Sequence, residues 1–328
     1  MKRLSALQAQ LLRAGSRLVS PGGRRGSLLV LIYHRVLPSP DALLTDEPHA
    51  ASFAAEMDLV RELFNVLSFG EAVERLMAGA LPARAVAITF DDGYANNLEV
   101  AAPILAARGL TATFFVATGF IDGGPMWNDV VIEALRHAPA DLDLRELGLG
   151  TVRLVDVAAR RRAIDDILGR LKYLESSDRL RLAEGIADRA AAPRLVQPMM
   201  SASQLRELAA LSMEIGAHSV THPILARVTA EVARREIHDS KRRLEDILRM
   251  PVRTFAFPNG RPGTDYGAEH VAMVRDAGFS AATSTAWGAA TMAADRWQVP
   301  RVAPWDRTPG WYALRLLRGF TERHPKRA

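Results

Sequence analysis

A chain of 328 residues, 48% apolar and 24% charged, is long enough for one large core or two small ones, and its composition excludes a globally disordered polypeptide. It has no cysteine, which excludes disulfides, thiolate metal sites and cysteine nucleophiles. Its longest apolar run, residues 28–33, falls far short of the ~20 residues a membrane-spanning helix needs. The net charge of +5 is unevenly spread, with +7 on residues 1–40, +5 on residues 307–328 and −7 between them. A nucleic-acid binder is expected to carry its basic patch on the folded body, so nucleic acid is set aside.

At the N-terminus Leu4, Leu7, Leu11, Leu18 and Val19 recur at helical spacing with arginines between them, which predicts a short basic amphipathic helix. Two readings fit it: a helix packed onto the domain, or a peripheral contact with an anionic membrane surface. Arg13 and Arg17 interrupt the unbroken apolar stretch of a secretory signal, so the expected location is cytoplasmic, peripheral on the inner face of the membrane under the second reading. Residues 21–26 break the pattern, making 1–26 a helix and linker.

Strand-like runs follow at 28–33, 64–68, 85–90, 111–116, 213–217, 254–257 and 279–283. Helical patterns at 52–63, 71–78, 97–108, 203–211, 229–248 and 265–277 lie between most of them, with Ser201 or Ser203 placed to cap one. Strands alternating with helices predict an α/β protein with a parallel sheet, open or closed as a barrel. From 119 to 200 there is no convincing strand, only helical stretches at 128–137, 157–174 and 178–191. We read about 120–200 as a helical insertion in a core spanning 27–310, and 311–328 as a basic C-terminal tail.

Three clusters follow predicted strands directly, at the rim where α/β sheets and barrels place their active sites. The first is Thr89-Phe90-Asp91-Asp92-Gly93, where adjacent carboxylates repel each other unless a cation or a proton offsets them. The second, His218-Ser219-Val220-Thr221-His222-Pro223, sets two histidines four apart, and Pro223 makes it a loop rather than a helical zinc-protease motif. The third, Phe255-Ala256-Phe257-Pro258-Asn259-Gly260, runs a strand into a tight turn. One carboxylate and two imidazoles make a facial set that leaves positions open for water and substrate, as in a catalytic divalent-metal site. A second carboxylate beside it supplies a general base.

These residues resemble the polysaccharide deacetylases of carbohydrate esterase family 4, which share the NodB-homology domain. Thr-Phe-Asp-Asp-Gly is similar to the family's first motif, His-Ser-x-x-His-Pro to its second, and Leu31-Ile32-Tyr33-His34-Arg35-Val36 to the opening strand of a large bacterial branch. The resemblance runs from about Leu28 to about Val302. It implies a distorted, incomplete (β/α) barrel in which Asp91 is the catalytic base and Asp92, His218 and His222 hold a divalent metal, usually zinc, with cobalt or nickel as alternatives. It also implies an oxyanion site at Asn259 or Tyr94, with Ser219 or Thr221 bracing the histidine loop. The substrate would be an N-acetylated hexosamine in a bacterial surface polysaccharide or its lipid-linked precursor, as in exopolysaccharide biosynthesis.

Three departures stand out. Ala256 occupies the position where many relatives carry an arginine, which leaves Arg253, Arg261 or Arg301 to orient Asp91. Asn259 follows the proline in place of tyrosine, and the late Leu-x-His motif is absent, which leaves His34, at the end of the first strand on the same rim, as either the substitute candidate for a general acid or a structural histidine. Asp295, Pro300 and Arg301 are similar to the segment leading into the family's final strand, and a salt bridge there is as good a reading as a catalytic role. Trp127, Trp287, Trp297 and Trp305 offer faces that stack on sugar rings, and one of them, Trp127 foremost, is expected to touch sugar. Alternative functions are a catalytically inactive glycan-binding module and an O-acetyl esterase.

Overall fold

The computed structural model describes residues 6–193, 198–304, 308–323 and 325–328. Leu4 of the N-terminal stripe, Trp305 and His324 lie outside the described residues, as does the side chain of Leu7. Two compact units emerge: Met1–Ser39 with Asp46–Ile121 and Met200–Ala328, and Pro40–Thr45 with Asp122–Met199.

The described residues form ten strands: β1 Leu28–Tyr33, β2 Asn65–Leu67, β3 Ala85–Phe90, β4 Thr113–Val116, β5 Asp141–Leu144, β6 Gly150–Arg153, β7 Glu214–Ala217, β8 Thr254–Ala256, β9 Ala281–Trp287 and β10 Val299–Arg301. Eight of them build the parallel sheet of the first unit in the order β1-β3-β4-β7-β8-β9-β10, with β2 paired to the first half of β3. The ring is nearly closed, because Val302 receives a hydrogen bond from the Ile32 amide and donates its own to the Val30 carbonyl.

Side chains alternate across each strand, and the two resulting faces enter different cores. Leu28, Val30, Ala85, Ala87, Phe115, Ala256, Ala281 and Val299 come from strands all around the ring and meet in one cluster, so they fill its interior, together with Phe69, Val73 and Leu76 of the helix Phe69–Met77. The alternate residues Leu29, Leu31, Val86, Ile88 and Phe114 face outward, where they pack under Phe53 and Val60 of Ala50–Leu63 and Ile237 and Leu244 of Ala230–Leu248. The resulting parallel sheet is covered on its outer face by helices, which explains its near-continuous apolar strands.

The structure adds elements that the pattern did not reveal. The insertion contains the antiparallel hairpin β5–β6 beside its helices Trp127–His137, Val157–Leu171 and Ser176–Arg189, so the expectation of no strand there is corrected. Leu142 and Leu144 face that unit's core, and four-residue strands are too short to show a decisive alternation. The segment 40–45 also belongs to this unit, where Asp41 pairs with Arg136 at 2.7 Å. The region read as a basic tail instead forms the helix Pro309–Thr321, with Tyr312, Ala313, Leu316 and Phe320 fully buried. Ser201 is the cap, its hydroxyl accepting from the Gln204 amide at the start of Ala202–Ala210.

Candidate active site

Continuing the alternation of β3 past its end places Thr89 and Asp91 on the same face as Ala85 and Ala87, the interior of the ring. Asp91 is buried, and its amide donates to the Tyr33 carbonyl at 2.9 Å, extending the β1–β3 ladder by one residue. The chain then turns sharply, with Asp92 at φ +75° and Gly93 at φ +93°. A Cβ on Gly93 would stand 2.9 Å from Cγ1 of Val116, so both conformation and space demand glycine there.

Arg301, at the end of β10, meets Asp91. Its Nη1 and Nη2 donate to the two carboxylate oxygens at 2.7 Å each, and both side chains are almost wholly buried. The register shifts between Val299 and Arg301, so that β9 spends extra residues opposite β10. This bulge frees the Ser284 carbonyl, which accepts from Arg301 Nε at 2.9 Å. The bulged Thr285 also donates through its amide to the Gly260 carbonyl and through its hydroxyl to that of Asn259. One irregularity thus fixes both the guanidinium and the Pro258-Asn259-Gly260 turn. Burial pushes the Asp91 pKa up, but the charge of Arg301, then that of His218, and the hydrogen bonds from Arg301 bring it down to about 2.

His218 follows β7, and its amide donates to the Val116 carbonyl at 3.0 Å. Its Nδ1 lies 2.8 Å from the Ala256 carbonyl, an acceptor that holds the proton on Nδ1 and leaves the Nε2 lone pair free. The loop to His222 contains two non-glycine residues in the left-handed region, Ser219 at φ +61° and His222 at φ +54°. Such conformations persist only where surrounding contacts over-determine them. Here Glu236 accepts from the Val220 amide at 2.7 Å, the Thr221 amide at 2.8 Å and the Thr221 hydroxyl at 2.7 Å. Ser219 Oγ accepts from the His222 amide, and the Thr118 and Gly119 amides bind the carbonyls of Ser219 and Val220.

The result is a trio of donors. Asp92 Oδ1 lies 3.6 Å from His218 Nε2 and 3.5 Å from His222 Nε2, and the three ligand atoms fall within 4.8 Å of one another. Asp92 Oδ1 is buried without a hydrogen-bond partner, an arrangement that a cation would relieve. Two bonds of about 2.1 Å at tetrahedral angles separate their donors by about 3.4 Å, so the trio fits a divalent metal with oxygen and imidazole ligands.

The other expected residues fall as follows. His34 lies on the rim just after β1. Desolvation pushes its pKa down, but the charges of Asp92, Asp91 and Glu47 outweigh this and raise it, with Arg301 opposing. Tyr94 is buried directly after the Asp-Asp-Gly turn, its ring 4.4 Å from the Arg35 guanidinium. Asn259 sits in the turn after β8 at φ +59°. Arg253 and Arg261 are exposed, which leaves Arg301 as the arginine on Asp91. Asp295 makes no salt bridge among the described residues; it accepts from the Trp297 amide and from Gln298. Trp127 is a half-buried residue of the second unit with Arg179 stacked 5.0 Å from its ring, while Trp287 and Trp297 pack against the first unit's core.

Sequence reasoning missed Glu236. Its signal was present: Ala233, Ile237, Ser240 and Leu244 mark the buried face of Ala230–Leu248, and Glu236 falls within that stripe.

Comparison with known proteins places these features in context. The family profile described as polysaccharide deacetylase matches residues 78–144 and 160–282, more than half of the chain. Among curated protein sequences none matches significantly. Among solved structures, the deacetylase PplD of Streptococcus pyogenes, determined in complex with acetate, superimposes with a TM-score of 0.58 at 20% identity, covering 90% of this chain and 98% of that one. IcaB from Ammonifex degensii gives 0.55 at 20% identity, covering 88% and 97%. A de-N-acetylase from Aggregatibacter actinomycetemcomitans gives 0.55 at 14%, covering 89% and 99%. At these identities the likeness is one of fold, the nearly closed (β/α) barrel described above.

Proposed function

The chain belongs to the polysaccharide deacetylase family, hydrolases of sugar N-acetyl groups, and on that premise we propose that it deacetylates an N-acetylhexosamine in a bacterial surface polysaccharide or its lipid-linked precursor. The observation that carries this reading is the buried Asp91–Arg301 pair standing beside the Asp92, His218 and His222 trio. The printed descriptions of the similar folds support it, one as a de-N-acetylase and one as a deacetylase holding acetate.

A divalent cation held by Asp92, His218 and His222, zinc by the nature of the donors with cobalt or nickel as substitutes, would acidify a water and polarise the acetyl carbonyl. The residues of the chain supply the remaining chemistry. Arg301 keeps Asp91 ionised and fixes both its oxygens, so Asp91 is an oriented acceptor for the proton of the attacking water. Attack at the acetamide carbon gives a tetrahedral adduct whose collapse breaks the C–N bond, and the leaving amine takes a proton from His34, on the rim just after β1. A backbone N–H at Tyr94 or Asn259 would stabilise the developing oxyanion. Ser219 and Thr221 act through the loop that carries His222.

The inactive glycan-binding alternative rests on the missing arginine at position 256 and the missing late histidine, and a guanidinium on Asp91 from β10 weakens the first of these grounds. Acetate release from N-acetylglucosamine oligomers, with an O-acetylated glycan in parallel, tests the proposal. Release from the N-acetyl substrate, abolished in Asp91→Asn and His222→Ala, is the expected result. Unchanged release in a folded Asp91→Asn variant would overturn the mechanism, and release from the O-acetyl substrate alone would make the protein an esterase.

A further inference from the structure

The helices nearest the two ends of the chain, Ala6–Val19 and Pro309–Thr321, pack against each other on the first unit. Each commits one face to the core: Leu12 and Val19 on the first, Tyr312, Ala313, Leu316 and Phe320 on the second. Each also leaves a second apolar stripe in water. Leu11 and Leu18 are 64% and 84% exposed, and their seven-residue spacing puts them on one side of the helix with Ala14 between them. Trp311 and Leu314 are 65% and 51% exposed, one turn apart, with Arg318 a turn further on. Of the six large apolar side chains exposed among the described residues of the first unit, four stand on these two helices; the others are the scattered Leu211 and Met250. Scattered apolar exposure is ordinary, but a concentration on touching helices marks an interaction surface.

Charge identifies the partner. Neither helix contains an aspartate or a glutamate. Arg13, Arg17 and Arg318 accompany the stripes, and none of them pairs with a carboxylate among the described residues. Arg13 and Arg17 also stand close enough to Arg84 for their charges to add to the depression of its pKa that partial burial begins. A second copy of the chain would bring these arginines face to face across a two-fold axis, which like charge opposes. An acidic lipid surface instead offers phosphate to the guanidinium groups and an apolar boundary to the leucines and the tryptophan. No helix of the described residues is long and apolar enough to cross a membrane, so such a contact lies on the bilayer.

We propose that the paired terminal helices form one docking face for an anionic membrane, with Leu11, Leu18, Trp311 and Leu314 entering the headgroup boundary and Arg13, Arg17 and Arg318 meeting lipid phosphates. The C-terminal helix is as much a part of this face as the N-terminal one. The proposal stands apart from the deacetylase reading, because it is tested by binding and uses no residue of the site.

The experiment is flotation of the full-length protein with vesicles of phosphatidylcholine alone or mixed with phosphatidylglycerol, alongside gel filtration. Two double variants complete it, Leu18→Ser with Trp311→Ser and Arg17→Glu with Arg318→Glu. All four positions lie outside the core, and thermal unfolding checks that each variant is folded. We expect binding to the mixed vesicles, at least about tenfold weaker binding to phosphatidylcholine alone, and a similar loss in each double variant. Added salt should weaken the parent by about fivefold for each arginine contact removed. No vesicle binding, equal binding to both compositions, unchanged binding in either folded double variant, or a dimer that Leu18→Ser with Trp311→Ser dissociates would overturn the proposal.

Discussion

Replacing Arg301 by methionine removes both 2.7 Å hydrogen bonds to Asp91 and leaves that carboxylate in a pocket where burial alone pushes its pKa up. Breaking a buried pair by deleting one partner costs about 3–5 kcal/mol, most of it the stranded charge rather than the lost attraction. For a chain of this size that corresponds to a fall in melting temperature of roughly 4–7 °C. If the stranded charge is the cause, neutralising it must restore stability, so Asp91→Asn with Arg301→Met should be more stable than Arg301→Met alone. Thermal unfolding of the four proteins closes the double-mutant cycle. Activity gives an independent readout. In Arg301→Met the pKa of Asp91 rises from about 2, so the acid limb of the kcat/KM profile moves to higher pH. Arg301→Lys keeps a positive charge but not the fork, and should hold Asp91 ionised while kcat falls. A single variant within about 1 kcal/mol of the parent, or a double variant no more stable than the single, would refute this account.

A second pH effect should come from Glu56, which is buried against the Tyr33 hydroxyl at 3.0 Å; burial lifts its pKa to about 8, with the Tyr33 hydrogen bond opposing. The folded state keeps a proton that the unfolded chain loses above about 4.5, so this group's contribution falls by about 1.4 kcal/mol per pH unit between about 4.5 and 8. Urea unfolding across that range should show Glu56→Gln gaining on the parent as pH rises, and parallel curves would contradict the assignment. Gly93→Ala must place a methyl 2.9 Å from Val116 at a positive φ, and should lose about 1–3 kcal/mol in urea unfolding. Glu236→Ala releases the loop that carries His222 and should weaken zinc binding by about 10–100-fold in a competitive chelator titration, with Glu236→Gln recovering most of it.

What the sequence revealed and what it hid follow from the range of the interactions involved. The runs Leu-Leu-Val-Leu-Ile-Tyr and Ala-Val-Ala-Ile-Thr-Phe announced β1 and β3 because both faces of those strands are buried. β10 has only three residues, set opposite the bulge of β9, so it carried no pattern of its own. The helix Pro309–Thr321 was masked by its arginines, although Tyr312, Ala313, Leu316 and Phe320 recur at helical spacing. The site divides in the same way. Asp91, Asp92, His218 and His222 stood in short motifs next to strand ends, and a local signal sufficed to nominate them. That Arg301, rather than Arg253 or Arg261, reaches Asp91 depends on a register shift across the last seam of the barrel. Glu236 holds a loop fifteen residues away mainly through backbone amides, so only its place in the buried stripe of its helix marked it.

The bulge of β9 has a consequence for the order in which the molecule becomes competent. Asp91 and its guanidinium partner are 210 residues apart, and the kink that aims Arg301 exists only when β10 lies against β9. A nascent chain leaving the ribosome can therefore pair β1 with β3 and form the Asp-Asp-Gly turn long before Asp91 has its counter-charge. His218 and His222 emerge next, and Asp91 gains its guanidinium last, when β10 lies against β9. A fragment that ends between His222 and Val299 carries both histidines and both aspartates yet lacks the guanidinium that fixes the Asp91 carboxylate.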